Sequence, residues 1–460
     1  MIFVLRRAWL PLALAGGAVA TEAHTLEPQP PRERMRRGDV HTTGTAAWLI
    51  ANDPERAAAL GRALFQRSFT ATDGASPPQA APVLSAAKPL RLDFAPSCMQ
   101  CHNVPFGEPG AGATTVRDAV TTRSTPHLFG AGQLDHLAAA LSARLLALVD
   151  HDGDGTVGRN EMHGEAVIDN GSGQHISFGS FVDADGDGLP DLDPVVSVWF
   201  VTADGRRIAG GDLQRTDVVG YRFAVRAFGA GEAPHATAGT TLRAAIVGAF
   251  AIHAGLQAFD PVLWAAPADG GWAGIGAAGV RQVDAGALAD LGVQRDAAGW
   301  SLDDPDRDGV CAELGDGDID LVEWFLSQQR QPMERKTDPA NALGRARFVA
   351  FGCAACHVPD WQVSNVSLSG LYSDLRSHDL GEAFHERQGD GRVLTHFRTT
   401  PLWGVAHSAP YGHDGASLDL DAVIRRHGGE AGSAVQAYEA AESTVRAEVL
   451  AFLATLVLTP

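Results

Sequence analysis

Two short strings in the chain have the residue types and spacing that attach a c-type haem. They read CMQCH, from Cys98 to His102, and CAACH, from Cys353 to His357. In this pattern the two thiols form thioether bonds to the porphyrin, and the adjoining histidine binds the iron. A C-x-x-C pair alone could be a zinc or redox dithiol site, but both copies carry the histidine. We therefore expect two covalently bound haem c groups, held by Cys98, Cys101, His102, Cys353, Cys356 and His357.

A second kind of site is indicated by the string DHDGDGTVGRNE, which opens at Asp150. Ca²⁺ prefers six to eight oxygen ligands, and a twelve-residue EF-hand-type loop supplies them at fixed positions around a sharp glycine turn. Gly155 stands at the position of that turn. We expect this loop to bind Ca²⁺ through carboxylates and one backbone carbonyl. The expected ligands are Asp150, Asp152, Asp154, Thr156 (backbone) and Glu161.

Two further aspartate strings resemble this loop less completely. The string DADGDGLPDLD supplies Asp183, Asp185, Asp187 and Asp191, but Pro194 stands at the twelfth position. The string DPDRDGVCAELGDGD supplies Asp304, Asp306 and Asp308. Each is either a shortened Ca²⁺ loop or a simple turn, and in an exported protein structural clamping is favoured over Ca²⁺ sensing.

An internal repeat shows which elements position the two haem motifs. ALGRALF (Ala59 to Phe65) precedes the first motif and ALGRARF (Ala342 to Phe348) precedes the second, while RSTPHLFG and RTTPLWGV follow them. The first pair predicts short amphipathic helices whose glycine permits close helix contact. Hydrophobic residues from Val445 to Leu456 predict a final helix that packs against the second of these.

The expected fold is mainly α. It has two cytochrome c-like helical modules, loop-rich calcium-binding insertions and minor β structure, including a strand at VVSVWFV. The expected boundaries are a signal peptide at 1–20, an N-terminal module with the EF-hand-type loop at 21–194, an intervening loop-rich region at 195–335 and a C-terminal module at 336–460.

The start of the chain predicts export. Arg6 and Arg7 precede an apolar stretch that ends in the cleavage signal Ala18-Val19-Ala20, a pattern typical of a secretory signal peptide. The apolar stretch is shorter than the ~20 residues that span a bilayer, so no transmembrane segment is expected. We predict a periplasmic protein, since covalent haem attachment in bacteria occurs outside the cytoplasm. The formal charge of −19 becomes −21 without Arg6 and Arg7, which argues against nucleic acid as a partner.

The function of each haem depends on the ligand opposite its histidine, because an open position permits substrate binding and a second protein ligand favours electron transfer. No methionine follows Met333, so a sixth ligand from the second module is not methionine. The candidates are His378, His385, His396, His407, His413 and His427, with Tyr411 and Tyr438 less favoured. For the first haem the sequence offers His127, His136, His151 and His163 and selects none of them.

Four further strings carry a resemblance to a known family. They are YSDLRSHDLG (from Tyr372), HFRTTPLWGV (from His396), YGHDGAS (from Tyr411) and RRHGGEA (from Arg425). With both haem motifs and the first acidic loop, they make the chain resemble the bacterial di-haem cytochrome c peroxidases and the methylamine-utilisation di-haem enzyme. It is more similar to di-haem oxidoreductases that are labelled thiol oxidoreductases. The resemblance extends from about Ala59 to the C-terminus.

The resemblance implies a role for each haem. In the peroxidases the axial ligand of the second haem follows the histidine of the HDG element by fourteen residues, and the same count from His413 reaches His427. The first haem of the family is the reactive one, which implies an open or weakly closed distal side at His102. A distal proton-transfer residue cannot be aligned, and Glu165 and His163 are the nearest guesses.

These observations favour a periplasmic di-haem oxidoreductase of the peroxidase-like kind. Its C-terminal haem would transfer electrons, and its N-terminal haem would meet peroxide, oxygen or another small oxidant. A redox donor or acceptor protein is then an expected partner. Two alternatives stay open: a non-catalytic electron-transfer cytochrome, and a calcium-stabilised enzyme that oxidises residues of a partner protein.

Overall fold

The computed structural model describes most of the chain between residues 33 and 458. The described residues are 33–75, 95–112, 115–117, 122–205, 207–208, 212–228, 241–256, 297, 300, 308–335, 339–388 and 391–458. They all belong to one compact unit, residues 31–460. The predicted signal peptide lies outside the described residues, as do Asp304 and Asp306 of the third aspartate string.

Helices surround both haem motifs, and several begin at a side chain that caps the first turn. Asp53 accepts a hydrogen bond from the Arg56 amide with Pro54 at the first helical position, and Thr241 and Asp419 cap later helices in the same way. The described helices are α1 (Ala46–Asn52), α2 (Pro54–Gln66), α3 (Ala131–Leu146), α4 (Leu242–Ala249), α5 (Asp316–Ser327), α6 (Pro339–Ala350), α7 (Leu420–Arg426), α8 (Gly432–Ala440) and α9 (Ser443–Leu453).

The two glycines of the ALGR repeat lie at close helix crossings. A Cβ atom on Gly61 would lie 2.8 Å from Cβ of Phe325, so α2 packs directly on α5. A Cβ atom on Gly344 would lie 2.7 Å from Cβ of Phe452, so α6 packs directly on α9. The predicted contact between the final helix and the Gly344 helix is therefore confirmed, and the first motif has an equivalent pair of helices.

Aromatic rings complete the equivalence of the two helix pairs. The rings of Phe65 and Phe325 have centroids 5.7 Å apart, and those of Phe348 and Phe452 lie 5.6 Å apart. In each pair the first phenylalanine also contacts the motif histidine, at 6.2 Å for His102 and 6.1 Å for His357. The repeated sequence therefore builds the same apolar wall beside each histidine.

Short antiparallel strands occupy the regions between and around the helices. The largest sheet has four strands in the order β3-β8-β6-β7, and the predicted strand at VVSVWFV is its member β6. The strands are β1 (Thr115–Arg117), β2 (Thr122–Ser124), β3 (Val157–Gly158), β4 (Glu165–Asp169), β5 (His175–Ser180), β6 (Val196–Thr202), β7 (Arg207–Ile208), β8 (Val218–Val225), β9 (Met333–Glu334), β10 (Asp360–Val363), β11 (Val366–Ser369), β12 (Ser377–Asp379), β13 (Glu386–Arg387), β14 (Val393–Leu394), β15 (His396–Arg398) and β16 (Leu456–Val457).

Separate apolar clusters form around this framework. One cluster joins α3 and the four-stranded sheet to buried residues of the 358–375 segment, such as Trp361 and Leu371. A second contains Phe65, Phe325 and the first residues of α4, and a third contains Phe348, Phe452 and Ile424. The mainly helical character with small sheets agrees with the predicted fold class. Helix α5, which lies within the predicted intervening region, packs against α2 beside the first motif.

One detail of the final helix differs from the sequence prediction. The helix begins after the N-cap residue Glu442 and ends at Leu453, so Leu456 belongs to strand β16 beyond the helix end. In the part of the chain that the structure describes, no helix combines the length and the apolar character needed to cross a membrane.

The glycine crossings give a direct test of the two helix pairs. Gly61→Ala and Gly344→Ala each place a methyl group against the backbone of the facing helix, so each should lower the free energy of unfolding by about 2 kcal/mol. Gly248→Ala in α4 is the matched control, because a Cβ atom there has nothing within 4 Å, and it should raise the same quantity by up to about 1 kcal/mol. Urea unfolding measures the free energy of unfolding of all three variants. Equal effects at the three sites would contradict the close helix crossings at Gly61 and Gly344.

Candidate haem sites

The second motif forms a tight turn that directs its histidine toward the apolar cluster. Cys353–Ala355 is a 3₁₀ turn, and the His357 amide donates to the Cys353 carbonyl over 3.0 Å. His357 Nδ1 donates to the Tyr372 carbonyl over 3.1 Å. This bond fixes the tautomer and leaves Nε2 free to bind a metal. Burial, followed by the charge of His427, lowers the pKa of His357 to about 4, so the ring is neutral at pH 7.

His427 faces this histidine from another element. It follows the last residue of α7, and its Nδ1 donates to the Val423 carbonyl over 2.7 Å. Its Nε2 is therefore also unprotonated in the neutral ring, and burial lowers its pKa. The two imidazoles thus have the same tautomer, and each is held by a backbone carbonyl.

The other predicted ligand candidates of the second haem have different partners. His378 bonds to Asp374 and Glu430, His385 Nε2 lies 2.8 Å from Asp379, and His407 Nδ1 accepts from the Leu458 amide. Tyr411 and Tyr438 donate their hydroxyls to the Val405 carbonyl and to Asp421. These partners occupy both ring nitrogens of His378 and the Nε2 atom of His385, and the bond to His407 Nδ1 leaves the proton of a neutral His407 ring on Nε2. His396 lies on β15, with Nδ1 2.9 Å from Thr395 Oγ1.

His413 is buried beside this site rather than turned toward His357. Its ring stacks on Phe397 with centroids 3.9 Å apart, and its Nε2 lies 3.3 Å from a carboxylate oxygen of Glu386. Arg123 reaches the same carboxylate from the first motif's neighbourhood, with Nη2 3.1 Å from Oε1. Although burial acts in the opposite direction, the hydrogen bonds from His413 and Arg123 lower the pKa of Glu386 to about 2.

His378 forms an ion-pair cluster beside the second motif. Its Nε2 lies 2.8 Å from Asp374, its Nδ1 lies 2.8 Å from Glu430, and Cys356 Sγ is 3.9 Å from Nδ1. Burial by itself lowers the pKa of His378, but the hydrogen bonds to these groups raise it to about 11. The imidazolium is therefore balanced by two carboxylates next to Cys356.

The first motif repeats the geometry of the second. Cys98–Gln100 is a 3₁₀ turn, and the His102 amide donates to the Cys98 carbonyl over 2.8 Å. His102 Nδ1 donates to the Pro126 carbonyl over 2.9 Å, which places the ring proton on Nδ1 as in His357. Burial lowers the pKa of His102 to about 4, with a smaller contribution from the charges of His253 and His127, while hydrogen bonds to the Pro126 and Gly110 carbonyls act in the opposite direction.

The motif cysteines are thiols in both sites. None of the five cysteines, all of which the structure describes, is in a disulfide bond. Burial raises the pKa of Cys98 to about 12 and that of Cys353 to about 11. A reactive redox dithiol needs the opposite shift. The buried thiols and the free Nε2 atoms therefore fit haem attachment better than dithiol chemistry.

The sequence repeats that follow the two motifs contact each other. His127 Nε2 donates to the Trp403 carbonyl over 2.9 Å. A Cβ atom on Gly130, whose φ is +77°, would lie 2.8 Å from the Trp403 ring. The segment that holds His102 through Pro126 is thus joined directly to the segment that follows the second motif.

The remaining histidines proposed for the first haem lie on other elements. His136 is half-buried on α3. His151 and His163 stack on each other at the first acidic loop, with centroids 5.7 Å apart, and Glu165 is exposed at the start of β4. The sequence reasoning did not consider His253, whose charge acts on His102. No sequence pattern around His253 marks it as a ligand, and only the order of the helices around the two motifs indicates such a role.

The first acidic loop has the backbone turns of a cation-binding loop. Gly153 and Gly155 have φ of +77° and +78°, and their amides donate to the two carboxylate oxygens of Asp150. The Glu161 carboxylate returns to the start of the loop, where it accepts from the His151 amide over 2.6 Å. Ligand oxygens of Asp150, Asp152 and Glu161 lie within 4.8 Å of one another.

The second aspartate loop has the same internal bonds. The amides of Gly186 and Gly188 donate to the two oxygens of Asp183, as the corresponding glycines do in the first loop. Asp191 accepts from the Ala184 amide over 3.0 Å, so it takes the place of Glu161 although it stands at position nine. Oxygens of Asp183, Asp185 and Asp191 lie within 4.8 Å of one another. Of the third string, the described Asp308 accepts from the Val310 amide.

The Glu386 site predicts a pH-dependent effect on stability. Glu386→Gln should lower the free energy of unfolding at pH 7 by about 2 kcal/mol, because it removes a carboxylate that accepts from the Arg123 guanidinium and from His413. The folded pKa of about 2 lies below the unfolded value of about 4.3. The stabilisation is therefore present above pH ~4.3 and is lost as the pH falls toward 2. Urea unfolding of wild type and Glu386→Gln at pH 7 and pH 3 measures the difference between their free energies of unfolding. If that difference is no smaller at pH 3 than at pH 7, the low pKa of Glu386 is contradicted.

Comparison with known proteins agrees with this geometry. Residues 325–456 match the family model "Di-haem oxidoreductase, putative peroxidase". A search of curated proteins found no match. Among solved structures, the chain is similar to a MauG-like protein associated with microbial copper homeostasis, with 19% identity, 31% of this chain covered and a TM-score of 0.24. It is also similar to Kuenenia stuttgartiensis hydrazine synthase, with 14% identity, 32% covered and a TM-score of 0.24.

The chain spans 57% of the length of each of these two structures. The family match includes the second motif, His427 and both helices of the second glycine crossing. In residues 325–456 the chain is therefore similar to the di-haem oxidoreductases, the family that the sequence motifs predicted.

Proposed function

We propose that the chain is an exported, peroxidase-like oxidoreductase with two covalently bound haem c groups. His357 and His427 would hold the iron of the haem on Cys353 and Cys356, which would supply electron transfer. His102 would hold the iron of the haem on Cys98 and Cys101, which would supply a centre for reaction with peroxide or another small oxidant. The observation that carries this proposal is that His357 and His427 each donate from Nδ1 to a backbone carbonyl, so both neutral rings keep Nε2 unprotonated.

The two sites are assigned different roles because their histidines differ. When bound, haem supplies an iron centre that transfers electrons if both axial positions are filled by protein and can react with a small molecule if one is open. At the second site both imidazoles are neutral and oriented by carbonyl groups, as strong ligands require. At the first site only His102 is held in this way.

The apolar surroundings support the same assignment. Phe65 and Phe348 stand beside the two motif histidines within buried clusters, which exclude water. A dry shell and hydrogen bonds to the ligand both alter a bound haem's potential.

The helix packing supports a revised extent for the first module. Helix α5 lies against α2 as α9 lies against α6. We therefore propose that the first module combines residues from about 33 to 130 with α4 and α5. The acidic loops and the four-stranded sheet then form an insertion within it.

Peroxide turnover with an artificial one-electron donor tests the proposed function. The purified, haem-loaded protein should consume peroxide and oxidise the donor in the ratio that reduction of peroxide to water requires. His357→Ala should abolish donor-dependent turnover, whereas the exposed His175→Ala should leave it unchanged. A protein that exchanges electrons with the donor but is inert to peroxide would instead be an electron-transfer cytochrome. Slow turnover that a co-purifying protein accelerates, with oxidation of that protein, would favour the partner-oxidising alternative.

Calcium binding is a second part of the proposal. The two described acidic loops have the same pattern of glycine turns and aspartate bonds, and each brings at least three carboxylates within 4.8 Å. Such groups repel one another without a cation, and Ca²⁺ is the ion that oxygen ligands at this spacing prefer. Both loops lie next to the four-stranded sheet, so bound ions would clamp the insertion.

Removal of calcium is therefore expected to destabilise the protein. At a Ca²⁺ concentration about 100-fold above the dissociation constant, each site contributes about 2.7 kcal/mol, so chelation should lower the melting temperature. Asp150→Asn and Asp183→Asn should each remove one calcium per chain, as measured by elemental analysis. Glu165→Gln, an exposed acid near the first loop, is the control and should retain all of the calcium. Unchanged calcium content in both aspartate variants would contradict these sites.

A further inference from the structure

We propose that His253 is the sixth ligand of the first haem, contributed from the region between the two motifs. This inference rests on the proposed function, since it requires a haem on Cys98 and Cys101. His253 lies in a short π-helical turn, Phe250–Ala254, that continues helix α4. Nothing in the sequence around His253 marks a ligand, but the order of elements around the two motifs places it where His427 stands at the second site.

Three helices and the motif occur in the same order at the two sites, with α3 inserted before α4 at the first site and α8 inserted before α9 at the second. Around the second motif, the chain runs from the glycine helix α6 through the motif to α7, then to the closing helix α9. Around the first motif, it runs from the glycine helix α2 through the motif to α4, then to the closing helix α5. Helix α7 ends at His427. Helix α4 and its π-helical turn occupy the corresponding place, and His253 lies near their end.

The apolar clusters show that α4 and α7 contact corresponding surfaces. The cluster beside the second motif includes Cys353 and Ile424, from the helix that carries His427. The cluster beside the first motif includes Cys98, together with Ile246 and Phe250 from α4 and its turn. Each histidine follows its cluster residue by three positions, from Ile424 to His427 and from Phe250 to His253.

Direct contacts hold the π-helical turn against the segment that leads into the first motif. The Ala95 amide donates to the His253 carbonyl over 2.8 Å, and Ala95 precedes Cys98 by three residues. The Phe250 ring meets Phe69 edge to face, with centroids 5.6 Å apart. The π-helical turn that carries His253 is therefore fixed beside the segment that leads to Cys98, by the backbone bond of His253 and the ring contact of Phe250.

Position distinguishes His253 from His127, the other histidine near His102. His127 adjoins Pro126, whose carbonyl holds His102 Nδ1, and its own Nε2 donates to the Trp403 carbonyl. His127 is thus on the proximal side. His253 comes from a different element, as His427 does at the second site.

The hydrogen bonding of His253 predicts a weaker ligand than His427. Its Nδ1 is buried and has no hydrogen-bond partner in the described part of the chain, whereas His427 Nδ1 is held by Val423. A ligand histidine without such a partner is less firmly oriented and less basic. The first haem is therefore the one from which an added small ligand displaces the protein ligand, in agreement with its proposed reactive role.

Optical and electron paramagnetic resonance spectra of the oxidised protein test the assignment. Wild-type protein should show two low-spin haems. His253→Ala should convert one haem to high spin, and added imidazole should restore the low-spin spectrum, which also shows that the variant is folded. Cyanide should bind this haem at least about tenfold more tightly in His253→Ala, because no internal ligand competes for the iron. His175→Ala, at an exposed strand position, is the control and should match wild type.

The possible failures are distinguishable. If intact mass shows fewer than two haems per chain, the proposed function fails. If two haems are present but His253→Ala leaves the spin state and the cyanide affinity unchanged, only the assignment of His253 is wrong. A first haem that is already high-spin in the wild-type protein would also overturn this assignment, while leaving the proposed function intact.

Discussion

The hydrogen bond from each motif histidine to a backbone carbonyl is the constraint on which the two sites depend. A neutral imidazole can bind iron through Nε2 only if its proton is on Nδ1, and the carbonyls of Pro126 and Tyr372 hold it there. Both carbonyls belong to segments outside the five-residue motifs. The fold must therefore bring a distant loop under each histidine before a haem can be held in a defined orientation.

A repeated pair of helices provides the frame for this arrangement. Gly61 and Gly344 allow each leading helix to approach its closing helix, and the phenylalanine that follows packs against the motif histidine. The two frames are joined where His127 meets Trp403 and where Arg123 meets Glu386. Both contacts lie on the segments that follow the motifs, so the repeats that build the two sites also connect them.

Much of this could be predicted from the sequence, because short motifs with fixed spacing have local causes. The haem motifs, the first acidic loop and the Gly344 helix contact are of this kind. The packing of α5 on α2 could not be predicted, since about 250 residues separate the two helices and each is an ordinary amphipathic helix. Asp191 takes the position in the second loop that Glu161 has in the first only because of the path of its loop. The proposed role of His253 likewise follows only from the elements packed around it.

The measurement that tests the central claim most directly is the intact mass of the mature, exported protein under denaturing conditions. The account predicts a chain that carries the added mass of two haems, and proteolytic peptides should place one on Cys98 and Cys101 and the other on Cys353 and Cys356. A chain without haem mass, with a disulfide or bound zinc at these cysteines, would contradict it.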